Sequence, residues 1–453
     1  MRVLMAIRPD YLTVAGGDSV QLLRTREALL RAGVAVEVMT EMPDSLREFD
    51  LIHCFNLTRP HDALRHAWRA QAADRPVALS TIYWEMDDLW LRGNPFRPAE
   101  RALQPPWDAM SRAHLALLQA QAQTVVTMSD WFLPNSRAEG QLVTERLGAP
   151  ADQQTVAVLG VDPIFFSGDA ARFEAAHGLR DFVLCVGRLD HRKNQEALLH
   201  ALRETQLPLV LIGDAADAAY AARCRAAAAE GVRFLPAMEP AQLADAYAAA
   251  RVHALPSWYE TPGLVNLEAA AAGCALVTTD RGSAREYFGD TAHYCDPRDP
   301  ASIRAAVRAA WEAPPDPSLA ELVRTRYTWD AAAEQTRVGY ERAIAAHPAD
   351  PVASAGAWVA RGGALLAVDD AWLHYHDAER TYLQGYLEFL RAVPERLQAE
   401  IAARGEQVQA LLRRVDELHA DMKEREAFIA KVQGSPAYRA LQALRRLTGG
   451  GRH

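Results

Sequence analysis

Two glutamates eight positions apart, Glu260 and Glu268, flank a helix start in the stretch 255–273, LPSWYETPGLVNLEAAAAG. The chain there leaves an apolar strand at Leu255, turns at Pro256-Ser257 and enters a helix near Gly263. A helix N-terminus carries unpaired N–H groups and partial positive charge, which suits a bound phosphate. Carboxylates are useless for phosphate but accept hydrogen bonds from hydroxyls. A ligand bearing both groups, a nucleotide-sugar, fits the pair. Upstream, VGRLDHRKN (186–194) puts Arg188 and Lys193 after a strand, where the next helix begins. Two cations beside a helix N-terminus can hold a diphosphate, although two solvated loop charges would read the same. The chain has only three lysines, Lys193, Lys423 and Lys431, which singles out Lys193. Gly16-Gly17 also precedes a helix; such glycines make a turn and also let backbone N–H groups approach a ligand closely.

These residues need elements to hold them. The chain has 453 residues, half of them apolar, enough for two or three domains with real cores. Its net charge of −9 leaves no electrostatic footprint for nonspecific nucleic-acid binding. Five scattered cysteines without CxxC spacing read as buried free thiols of a reducing compartment. The N-terminal apolar run is too short for a signal peptide, and no run approaches a membrane span, so a cytoplasmic protein is expected.

Along residues 1–163 the pattern alternates strand and helix. Strands are expected at 3–7, 34–39, 51–54, 77–82, 124–128 and 155–159, and helices after Gly17 and near 60–71, 107–122 and 136–147. A second such run, 164–317, places strands at 182–186, 209–212, 232–235, 252–255, 275–278 and 292–294. The fold class is therefore α/β: two tandem doubly wound parallel sheets, with ligands expected beyond the carboxyl ends of the strands. Helices at 318–326 and 329–346 could pack back on the first domain. A linker at 347–370 leads to a helical extension, 371–453, with Trp372, Tyr375, Tyr382, Tyr386 and Phe389 on one stripe. Heptads over about 397–432 include Ile401, Val408, Val415, Met422 and Ile429. They support either self-association or recruitment of a partner enzyme, or packing on the protein's own body. The basic, amphipathic end, 436–453, reads as a solvated helix or a peripheral membrane contact at the inner face.

Taken in order, these signals resemble the family 4 retaining glycosyltransferases of the GT-B fold. The matching residues are Gly16-Gly17, Pro134-Asn135-Ser136, Gly160-Val161-Asp162, VGRLDHRKN (186–194), Pro256-Ser257, Glu260 with Glu268 as an E-x7-E signature, EAAAAG (268–273), and Gly282 before Glu286. The resemblance covers about residues 1–345. It implies that Arg188 and Lys193 hold the diphosphate of a nucleotide-sugar donor. The N–H groups of Gly263, Leu264 and Val265 would face phosphate and sugar. Glu260 would sit near the transferred sugar, Glu268 would accept from ribose hydroxyls, and Gly16-Gly17 would lie across the cleft. No cofactor and no metal are implied, and no DxD occurs. The implied acceptor is a cell-surface glycan or its lipid-linked precursor. Where family members often carry a histidine facing the donor sugar, this chain reads LSTIYWEMDD (79–88), which makes Tyr83, Trp84 and Glu85 candidate acceptor or sugar contacts. His53, after an earlier strand, reads as structural. Two other readings stand beside transfer: a GT-B nucleotide-sugar epimerase, and a scaffold that recruits partners through the heptads.

Overall fold

The computed structural model describes residues 1–14, 16–85, 87, 104–314, 316–348, 364, 367, 368, 370–385, 406, 408–414 and 416. These fall into two units, one comprising 1–93 and 125–347, the other 94–124 and 348–453.

The first unit holds both sheets, each parallel throughout its described pairings. Strands β1 (Arg2–Ala6), β2 (Ala35–Met39), β3 (Leu51–Phe55), β4 (Val77–Ser80) and β5 (Trp131–Leu133) form a sheet in the order β2-β1-β3-β4-β5. Strands β6 (Val183–Val186), β7 (Leu209–Ile212), β8 (Arg233–Leu235), β9 (Val252–Leu255), β10 (Ala275–Thr279) and β11 (His293–Cys295) form another, ordered β11-β10-β9-β6-β7-β8. Strands buried on both faces are continuous apolar runs, and β6, VLCV, is buried at every position. In the second sheet the order reverses between β6 and β9, and in the first between β1 and β3. Such switch points open a crevice at the carboxyl ends of the strands.

The helices that matter follow the strands. Helix α1 (Gly17–Arg31) follows β1, α2 (Pro60–Ala72) follows β3, and α3 (Gln104–Thr127) precedes β5. Then come α4 (Arg137–Leu147), α5 (Ala170–His177), α6 (Gln195–Leu202), α7 (Ala218–Ala227), α8 (Pro240–Ala249), α9 (Leu264–Ala271), α10 (Ala284–Phe288), α11 (Pro300–Glu312), α12 (Pro317–Arg326) and α13 (Trp329–Ala346). Helix α13 returns to the first sheet, packing on α1, β3, β4 and β5, whereas α12, expected there too, packs on α9 of the second-sheet domain. There Tyr340 Oη lies 2.7 Å from His53 Nδ1. The chain thus crosses between the sheets twice, near 160–163 and near 326–329, and the crossings are bonded to each other, Val161 N–H donating to the Tyr327 carbonyl at 3.0 Å.

Two expected strands fail. Residues 124–127 end the 24-residue α3, and the strand lies further on, at Trp131–Leu133. The β-branched run Thr124-Val125-Val126-Thr127 suggested a strand, but the helix carries through it and Thr124 Oγ1 bonds back to the Ala120 carbonyl at 2.8 Å. Residues 155–159 run alongside β5 without forming a regular strand, Thr155 N–H reaching Phe132 and Ala157 N–H reaching Pro134. Helix α5, capped by Asp169, was unanticipated.

All five cysteines are free and buried. Among the described residues no helix is long and apolar enough to cross a membrane. In the second unit Trp107 meets Tyr382 edge-on at 5.4 Å and His114 lies 5.0 Å from Tyr375, so the aromatic stripe of helical residues 371–385 faces α3. Of the quoted heptad positions, Val408 is buried; the others, Tyr386, Phe389 and 436–453 lie outside the described residues.

Candidate functional site

The loop after β6 is built by its own polar residues. Asp190 caps a 3-10 turn over His191–Lys193, accepting the Lys193 N–H at 3.0 Å. Asn194, left-handed with φ 59°, donates to the carbonyls of Pro256 at 3.1 Å and Pro297 at 2.8 Å. The Trp258 N–H donates to the Arg192 carbonyl at 2.9 Å. These bonds hold the loop against the end of β9, at the switch point between β6 and β9.

The result is a buried ion cluster. Lys193 Nζ donates to Glu260 Oε1 at 2.6 Å, and Arg192 Nη1 donates to the same oxygen at 3.2 Å. Glu260 is 5% exposed. Burial pushes its carboxyl up, but Lys193 and Arg192 outweigh that and hold it down at about 2. Burial likewise lowers Lys193, aided by neighbouring Arg192 and opposed by Glu260.

Gly263, with φ +88°, starts α9 directly beside this carboxylate. A Cβ there would stand 2.8 Å from Glu260 Oε2, so only glycine lets the acid lie against the helix N-terminus. Gly282, φ +94°, is needed for a second reason: its Cβ would meet the Glu260 carbonyl at 2.2 Å, where Glu260 and Gly282 form a parallel bridge.

Glu268, one turn into α9, is half-buried and accepts from the Tyr247 hydroxyl at 3.0 Å. Burial raises its carboxyl to about 7. Gly17 faces α9 from the first sheet: its Cβ would lie 3.9 Å from Leu264 Cδ1. Further along α1 a cavity of about 470 Å³ opens between α1 and α8, lined by the 2.6 Å ion pair Arg24–Asp162 together with Ile164 and Glu239. Val265, like Gly263 and Leu264, is half-buried.

The structure thus brings Lys193, Glu260 and Gly263–Val265 together, with Glu268 further along α9 and Gly17 opposite. Arg188 follows β6 but its side chain is exposed, and its carbonyl accepts from Gln195 Nε2 at 2.8 Å. In the first-domain loop, Trp84 stacks on Tyr259 at 6.3 Å and lies under the Arg192 guanidinium at 5.2 Å. The Tyr83 N–H donates to Glu139 Oε1 at 3.0 Å. Glu85 points elsewhere, into an exposed ion pair with Arg146. His53 is a core residue between Tyr340 and Ser80.

Several residues of this site escaped the sequence. Arg192 stands next to Lys193 in the motif and completes the cation pair on Glu260. Glu139, fully buried, gathers Thr81 Oγ1, the Tyr83 N–H and, at 3.0 Å, the Asn135 N–H, so one carboxylate fixes two loops. Burial raises it to about 7 against these donors. Arg8 and Asp18 pair in the core through bonds of 2.8 and 3.0 Å and pin the Gly16-Gly17 loop.

Comparison with known proteins bears on this geometry. Residues 180–313 match the family model for Glycosyl transferases group 1. A D-inositol 3-phosphate glycosyltransferase of Acidothermus cellulolyticus is 32% identical over 250 residues, 49% of this chain and 55% of that protein. The chain thus spans about half the length of that relative. Among solved structures, sucrose-phosphate synthase from Thermosynechococcus elongatus superposes with TM-score 0.57 at 20% identity, covering 76% of this chain and all of that one. Anabaena HepE in complex with UDP-glucose gives TM-score 0.52 at 18% identity, covering 77% and 97%. Both share the two-sheet architecture. Residues 180–313 are thus similar to the group 1 glycosyltransferases, and the two-sheet body has the GT-B fold.

Proposed function

We propose that this chain is a retaining glycosyltransferase of the family 4 kind, moving a sugar from a nucleotide-diphosphate sugar to a cell-surface glycan or its lipid-linked precursor. The observation that carries this reading is the 2.6 Å contact of Lys193 with Glu260 at the Gly263 helix start. In transfer, the bond from sugar C1 to the diphosphate oxygen breaks and a bond from C1 to the acceptor oxygen forms. Negative charge grows on the departing phosphate. Fixed cations and N–H dipoles in a water-poor cleft stabilise that charge most effectively. Lys193 and the N–H groups of Gly263–Val265 would meet it from inside, and exposed Arg188 would swing in from the rim. The protein's own cations then do the work for which a metal is otherwise used. Glu260 would face the transferred sugar, Glu268 the ribose, and Trp84 the acceptor. The relative named D-inositol 3-phosphate glycosyltransferase and the fold neighbour in complex with UDP-glucose support a sugar-nucleotide donor.

Thermal unfolding with UDP, GDP, ADP and TDP tests the donor site. A nucleotide at about 100 times its Kd adds roughly 2.7 kcal/mol, a shift of a few degrees at this size. Stabilisation by one base is expected; no shift with any of the four at millimolar concentration would overturn the reading.

A further inference from the structure

One short helix of the second sheet, α10, grips one turn of the first-sheet domain. Both carboxylate oxygens of Glu286 accept backbone N–H bonds at the start of α4, from Arg137 at 2.9 Å and Ala138 at 3.0 Å. Ser283 Oγ lies 2.6 Å from Ser136 Oγ. Tyr287 donates its hydroxyl to the Asn135 carbonyl at 2.6 Å and accepts the Leu159 N–H at 2.9 Å.

The accounting at α4 shows what Glu286 adds. The first N–H groups of a helix have no partner within it. Ser136, the N-cap, accepts the Glu139 N–H at 2.9 Å, and the Gly140 N–H begins the helical ladder. The two N–H groups left over, of Arg137 and Ala138, are those that Glu286 takes, from about 150 residues away. The first turn of the helix therefore keeps these two partners only while α10 is seated on it.

Both partners of this contact lead to the candidate site. Behind α10, the Ser283 N–H donates to the Glu260 carbonyl at 2.9 Å, and Glu260 bridges Gly282. Behind the first turn of α4, Glu139 holds the Tyr83 N–H, and the next residue, Trp84, comes back onto Tyr259 and Arg192. The contacts close a ring: Glu260, Ser283, Ser136, Glu139, Tyr83, Trp84, Arg192 and Glu260 again.

We propose that Glu286 is a positioning residue that latches the cleft shut by capping α4 from the opposite domain. It thereby fixes where Glu260 and Arg192 stand relative to Trp84. Glu286 is exposed, so water replaces both of its bonds when the cleft opens, and the latch can release in each cycle. The effect on turnover rests on the transferase reading; the latch itself does not.

The test uses the full chain with two readouts. The first is the rate of disulfide formation in a Ser136→Cys, Ser283→Cys pair under mild oxidant without donor, read against each single-cysteine variant so that pairing with the five native thiols is subtracted. Glu286→Ala in that background slows cross-linking several-fold, and Glu286→Gln, which keeps one acceptor oxygen, restores part of the rate. The second is steady-state transfer without the cysteine pair. Glu286→Ala lowers kcat about tenfold to a hundredfold, as misplacement of a reacting group does, while donor KM and melting temperature change little. Cross-linking that is unchanged in Glu286→Ala overturns the latch, as does a kcat loss that merely follows a fall in melting temperature. If no nucleotide-sugar is turned over but cross-linking still depends on Glu286, the transferase reading falls and the latch stands.

Discussion

Lys193 Nζ stands 2.6 Å from Glu260 Oε1, and the guanidinium of Arg192 approaches the same oxygen at 3.2 Å. One buried carboxylate is thus shared by two cations, leaving a surplus positive charge at a helix start. That surplus is what an incoming diphosphate would meet.

Replacing Lys193 by alanine removes one of the two partners and leaves Glu260 paired with Arg192 alone. Breaking a buried pair outright costs about 3–5 kcal/mol; with Arg192 still in place the expected loss is smaller, about 1–3 kcal/mol. Urea unfolding measures this. Turnover of Lys193→Ala falls at least about a hundredfold, the scale of losing one electrostatic contact to the developing charge. Wild-type turnover in the variant would remove Lys193 from the mechanism.

Glu268 sets a pH dependence with a definite sign. Burial holds its carboxyl at about 7, against a usual value of 4.5. Folding therefore favours its protonated form: this contribution to stability is full below the usual carboxylate range and is lost as pH rises through 7. Ribose hydroxyls would donate to the ionised form, so nucleotide affinity should move the other way, rising by up to about tenfold from pH 6 to pH 8. Isothermal titration of wild type and Glu268→Gln checks this. The variant is expected to bind weakly and without that pH dependence.

Trp84 reaches Tyr259 and Arg192 across the cleft. Trp84→Ala removes the aromatic face and the cation contact, each worth about 0.5–1.5 kcal/mol. Melting temperature should change little while acceptor KM rises. Trp84→Phe should recover much of the loss. An acceptor KM unaffected by Trp84→Ala would take this residue out of the acceptor site.

His53 and His253 are buried, and burial pushes both imidazoles down to about 3. Their lowered values mean that the stability they contribute is complete above about 6.5 and declines as pH falls below it. Their imidazole resonances should not titrate between pH 5 and 8. His53→Ala, which strips partners from Tyr340 and Ser80, should cost about 2–3 kcal/mol in urea unfolding.

The parallel sheets were legible because doubly covered strands such as VLCV in β6 must be apolar throughout. The strand expected over 124–128 failed for the opposite reason. Four β-branched residues have strand propensity, but they terminate a long helix, and position in the fold decided the matter. At the candidate site, the nearness of Lys193, Glu260 and Gly263 was legible because each lies just past a strand end at a helix or turn start. Arg192 was adjacent in the motif yet silent, since nothing local says that it turns onto Glu260. Glu139 left a faint trace in Ser136-x-x-Glu139, the pattern of a capping box, but its carboxylate serves Thr81, Tyr83 and Asn135 instead. Glu286 belongs to α4 only across about 150 residues of chain, a separation over which spacing carries no information.

The hydrogen bond from Val161 to Tyr327 has a mechanical consequence. Two pins set side by side, as in a door, leave a single swing as the soft motion and stiffen both sliding and torsion. The two passages of the backbone near 160–163 and 326–329 form such a pair. Any opening of this two-sheet body should therefore retrace one arc, returning Glu260 to Trp84 in the same alignment each time.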